Sequence, residues 1–162
     1  MGFIDTTTDP RLAVFYNVVH AVGKNCPNQR DDVKLVQYLL MAFYDKVPSL
    51  TQPKGEIAVT GYCGPATMNW IVQFQLDANK LAFGSTALDS RIDRVRDHNV
   101  KGSFTKTYYT ILTLNKWVID LNPEAWLMTP LLIPLDNPMN VPPPSWDVVQ
   151  QQQQNVPESG GF

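Results

Sequence analysis

The sequence predicts a mainly α protein. A compact three-helix domain spans residues 1–122, with its core in 30–118. An extended N-terminal segment precedes the helices, and a Pro/Gln-rich C-terminal arm follows over 123–162. Three observations lead there. Apolar residues recur at helical spacing in three stretches, which is the mark of helices with one buried face. Glycine and proline punctuate the stretches between them. Hydrophobic residues make up 44% of the 162 and charged residues 17%, a balance that suits a single packed core rather than a disordered chain.

Each element follows from its own residues. Residues 11–22 hold four valines and two aromatics, which favour an extended strand-like segment. A short helix is the alternative, because Leu12, Phe15, Val18, Val19 and Val22 also fit a helical stripe. The first helix is predicted over Asp31–Asp45, with Val33, Val36, Leu40 and Phe43 on one face. Asp31 or Asp32 supplies its N-cap or first-turn acid, and Pro48 stops it. A loop over 46–64 is predicted to hold a short strand at Glu56–Thr60. The second helix, Pro65–Asn79, starts on a proline suited to the first turn. In Leu81–Gly102, Arg91, Arg94, Arg96 and Lys101 alternate with Asp89, Asp93 and Asp97. This pattern reads as a solvated loop, with binding of peptide carboxylates as the alternative. The third helix is predicted from Ser103 or Phe104 to Leu121. Val36, Leu40, Ile71, Phe74, Ile111 and Leu114 are expected to be buried together.

The arm has a different composition. Eight of the thirteen prolines lie at or beyond Pro123, and Gln150–Gln154 is an uninterrupted glutamine run. Such a segment does not build a core of its own. It nevertheless carries Trp126, Leu131, Leu132 and Trp146, expected to anchor it on its own domain or on a neighbouring subunit.

Charge and composition exclude several function classes. A net charge of −2 and a pI near 5.6 give no field that steers the chain to nucleic acid. Apolar runs fall short of a membrane span. The first residues lack a basic start followed by an apolar run, so no secretory signal is read there. The expectation is synthesis in the cytoplasm, with delivery outward as part of an assembly or without a standard signal. Cys26 and Cys63 read as reduced thiols. With only His20 and His98 to join them, no metal site is expected. No cofactor and no catalytic residue is expected either. Cys26 with His20, or Cys63 with His98, pair by residue type only, and Asp77 and Asp89 read as loop-solvating acids.

Two segments point further. Val33-x-x-Val36-Gln37-x-x-Leu40 places a glutamine beside an apolar helix face. Downstream, Gly61-Tyr62-Cys63-Gly64-Pro65-Ala66-Thr67 leads into Ile71-x-x-Phe74-Gln75. The glycine turn allows a tight reversal, and each glutamine can bond backbone in a loop. The arrangement resembles the peptidoglycan-binding-like domain family. In that family a V-x-x-L-Q-x-x-L helix passes through a D-G-x-F-G-x-x-T turn into a V-x-x-F-Q helix. Leu88–Asp93 and Thr105–Leu114 echo its third element. Thr60 replaces the usual turn aspartate, Cys63 the turn aromatic, and Trp70 a usually small residue.

The resemblance implies a non-catalytic module that binds peptidoglycan through a shallow groove. The matching positions are Tyr62, Gly64, Thr67, Trp70 and Gln37. Tyr62 and Trp70 would stack on sugar or peptide, unless Trp70 is core and Tyr62 only covers the turn. The alternative function is a docking subunit of a larger assembly, such as a phage tail or injection machine. It would contact a protein partner, or further copies of itself, through the arm.

Overall fold

A computed structural model describes residues 1–47, 50, 52–80, 86–101 and 107–154. The fold is mainly α with a small sheet. Strand β1 (Gly2–Thr6) pairs antiparallel with β2 (Val14–Asn17), opposing Ile4 to Tyr16. The turn between them holds a short 3-10 helix, Pro10–Leu12, capped by the Asp9 carboxylate, which accepts from Arg11 N at 3.0 Å. β3 (Val22–Gly23) pairs with β4 (Arg91–Ile92). The extended reading of 11–22 therefore holds for 14–17 and for Val22, whereas Arg11 and Leu12 belong to the 3-10 helix.

Side-chain amides take the place of a strand along the outer edge of β2. Asn115 accepts from Tyr16 N and donates to Tyr16 O, each at 2.9 Å. Gln152 does the same for Val14, at 3.0 and 3.1 Å. Both pairs of edge groups are thereby satisfied without an open template for another chain.

Helix α1 spans Arg30–Lys46 and α2 spans Pro65–Lys80, each close to its predicted bounds. Pro48, the expected stop of α1, lies outside the described residues. Asp31 and Asp32 are first-turn acids of α1, as one of the two readings had it, and Gln29 stands at the N-cap. Asp32 has a further role. It is buried, and its two oxygens accept from Val19 N and His20 N at 3.0 Å each, which pins the preceding segment to the helix. Helix α3 spans Thr110–Leu121. The predicted start at Ser103 or Phe104 lies outside the described residues, and 107–109 are not helical. There Tyr108 bridges to Thr86 and Lys101 in β fashion instead. The predicted strand at 56–60 is absent; these residues run irregularly.

The six residues expected to share a core are all fully buried in one cluster. The expectation of three helices and an extended arm is corrected. The arm contributes α4 (Pro123–Leu132), β5 (Leu135–Asp136) and α5 (Trp146–Gln154). Asn122 caps α4, with Pro123 at its first position. β5 adds a parallel partner to the free side of β1. The glutamine run is helical, as suits a residue with good helix propensity. In α5, Val149 and Gln152 are buried, and Lys116 Nζ of α3 donates to Gln152 O at 3.0 Å. Residues 123–154 thus pack onto the domain rather than extend from it.

Candidate functional site

Two loops of this fold are held in the same way. At the end of its V-x-x-V-Q segment, Gln37 of α1 reaches the loop that precedes α2. Its Oε1 accepts from Thr60 N and Gly61 N at 2.9 and 3.0 Å. Its Nε2 donates to Tyr62 O at 3.0 Å, with Thr67 Oγ1 at 3.1 Å and Thr60 Oγ1 at 3.3 Å. Gln75 of α2 repeats this on the loop that leads toward α3. Its Oε1 accepts from Ser90 N at 2.9 Å, and its Nε2 faces Arg91 O, Thr110 Oγ1 and Asp89 Oδ1 at 2.9, 3.1 and 3.1 Å.

The correspondence extends to single atoms. Tyr62 N donates to Thr60 Oγ1 at 3.1 Å, as Arg91 N donates to Asp89 Oδ1 at 3.0 Å. The middle residue has positive φ in both loops, +83° at Gly61 and +62° at Ser90. Glycine is required at the first, where an added Cβ would stand 2.4 Å from Arg30 Cγ. Thr60, Gly61, Tyr62 and Thr67 thus match Asp89, Ser90, Arg91 and Thr110.

This geometry sorts the predicted ligand residues. Gln37 and Thr67 are buried in the clamp, hold the loop, and form the floor of the groove that Tyr62 and Gly64 also line. Trp70, 6% exposed, donates from its indole N–H to Gly55 O at 2.9 Å and meets Tyr44 edge-on, so it packs as core and offers no stacking face. Tyr62 is 74% exposed. Its ring lies against Gly64, where an added Cβ would come within 2.8 Å of Tyr62 Cε1. Tyr62 and Gly64 line a shallow groove of about 420 Å³ together with Glu56, Ile57, Ala58 and Ala66. The groove's wall at 56–58 carries no periodic signal, so sequence reasoning missed it.

The arm anchors divide as well. Trp126 is fully buried in its own chain, whereas Leu131, Leu132 and Trp146 are exposed. Neither Cys–His pair looks activated. Burial pushes the thiols of Cys26 and Cys63 up from their ordinary values, away from the thiolate a nucleophile needs. Both cysteines are free. Asp77 solvates no loop; it is buried on α2 and accepts from Tyr44 OH at 2.6 Å and Gln73 Nε2 at 2.9 Å. Asp89 is taken up by the second clamp. Among the described residues, no cluster of His, Cys, Asp and Glu could hold a metal, and no helix is long and apolar enough to cross a membrane.

Around the donating Nε2 the two clamps differ in one side-chain partner, Thr60 against Asp89, and this sets an expected difference. A Gln→Glu change keeps the shape but replaces the donating Nε2 with an acceptor. In Gln75→Glu that acceptor meets the Asp89 carboxylate and a carbonyl, for an expected loss of ~3 kcal/mol. In Gln37→Glu the threonine hydroxyls can turn to donate, so the loss should be visibly smaller. Urea unfolding of the two variants measures the ordering.

No family model matches the chain, and neither a curated protein nor a solved structure matches it.

Proposed function

We propose that the chain is a non-catalytic binding module for peptidoglycan, which engages the polymer along the groove beside Tyr62. One observation carries the reading. An aromatic side chain is held largely in solvent, on a loop that five Gln37 contacts tie to α1. Exposing a large aromatic on a fixed frame costs little ordering entropy when a ligand stacks on it. The two Gln-clamped loops also accord with the V-x-x-V-Q and I-x-x-F-Q segments on which the family resemblance rests. Such a module would work outside the cytoplasm, delivered there alone or within an assembly.

Sedimentation with insoluble cell walls tests the reading. The purified chain is expected in the pellet, and Tyr62→Ala should weaken its retention roughly tenfold, the loss of one stacked ring. The unfolding midpoint should stay within about 0.5 kcal/mol of the parent, because the side chain is at the surface.

A docking subunit is the second reading, favoured by the apolar exposure of Met128, Leu131 and Leu132 on α4. It expects no pelleting with walls, and self-association or partner capture that Leu131→Glu abolishes.

A further inference from the structure

The second clamped loop presents a different surface. Arg91 stands where Tyr62 stands in the first, bonded through the same backbone atoms to the equivalent glutamine. The cleft beside it is larger, about 520 Å³, within the range of small-ligand sites. Arg91, Arg94 and Arg96 line it, and Ala21, Pro27 and Ala87 supply a small apolar wall.

Two carboxylates share this cleft with three arginines, which leaves it with an excess of positive charge. Asp89 is taken up by the clamp, where its Oδ1 accepts from Gln75 Nε2 and Arg91 N. Asp93 pairs with Arg91 at 3.2 Å, but both side chains are partly in solvent, where such a pair is weak and can be exchanged. Among the described residues, Arg94 and Arg96 pair with no carboxylate. Arg94 is nevertheless held in place, its guanidinium 5.0 Å over the Phe3 ring centroid. That contact restricts the guanidinium where Arg94 meets the cleft, and guanidinium N–H groups suit a planar oxyanion. This concentration of cations stands in a chain whose net charge is −2.

We propose that this cleft is a carboxylate-binding site that takes the C-terminus of a short peptide ending in a small apolar residue. Arg94 and Arg96 bind the carboxylate, Arg91 exchanges Asp93 for it, and the alanine and proline wall receives the terminal side chain. Guanidinium also suits phosphate, but a phosphate has no use for that apolar wall. The site goes beyond the wall-binding reading. It requires no polymer and stands even if whole walls fail to retain the chain.

The test is an NMR titration of the full chain with N-acetyl-alanyl-alanine, its C-terminal amide and inorganic phosphate. The acid is expected to shift the amides of Ala87, Arg91–Arg96 and Tyr109 saturably, with the amide form at least about tenfold weaker. The double variant Arg94→Gln, Arg96→Gln should bind the acid about tenfold or more weakly, with the Tyr62 loop unshifted and the unfolding midpoint unchanged. If the double variant does not fold, Arg96→Gln alone, at an exposed side chain, should still weaken the acid several-fold. Equal binding of acid and amide, absence of saturable shifts, or phosphate binding more tightly than the acid would each overturn the proposal.

Discussion

Trp126→Ala is expected to lower the unfolding free energy by ~3–5 kcal/mol, a large part of what a domain of this size has to lose. Trp126 is fully buried, and its ring centroid lies 4.8 Å from that of Tyr16. Its indole N–H donates to Asn115 Oδ1 at 3.0 Å, the same oxygen that takes Tyr16 N. Tyr16 OH in turn donates to Trp126 O at 2.7 Å. One side chain therefore ties α4, α3 and β2 together. Trp126→Phe keeps most of the volume and loses the N–H, so ~1–2 kcal/mol is expected from it. Chemical denaturation measures both. Near-native stability of Trp126→Ala would mean that residues beyond 122 are not part of the fold.

Phe74→Ala is expected to cost a comparable ~3–5 kcal/mol, for a different reason. Phe74 is fully buried at the contact of α2 with α1, edge-on to Phe43 at 5.1 Å. Phe43 also meets Tyr44 and Trp117 edge-on, so the cavity would open in the middle of an aromatic cluster. Phe74→Leu, which leaves less empty volume, should cost ~1–1.5 kcal/mol. The alanine variant should also loosen Gln75, its neighbour in sequence, so faster hydrogen exchange at Ser90 N is expected alongside the lower midpoint.

How much of this was legible depended on the range of the contacts. The spacing of Val33, Val36, Leu40 and Phe43 is local, and α1 and α2 lie within a residue or two of where it puts them. The six predicted core residues follow from the same periodicity. The reach of each glutamine into a loop was also legible, because it depends on a helix next to a glycine turn. What escaped depends on partners far apart in the chain. Asn115 and Gln152 look like ordinary helix polar residues until β2 is seen beside them. Asp32 sits where a capping acid belongs, yet the backbone at Val19 and His20 claims it. Trp70 matches a ligand position in the resemblance, but its size buries it against Tyr44. In the tail, prolines suggested an extended arm. Among the described residues they stand instead at the start of α4, inside it at Pro130, and between α4 and α5. Burial of Trp126 and Val149 outweighs their cost.

The most direct test of the wall-binding reading is an amide-shift titration of the chain with a soluble peptidoglycan fragment that contains both sugar and peptide. Saturable shifts are expected at Ala58, Thr60, Tyr62 and Gly64, lost in Tyr62→Ala while the rest of the spectrum is kept. Shifts that leave this loop untouched, or that gather on Met128, Leu131 and Leu132 of α4, would contradict that reading.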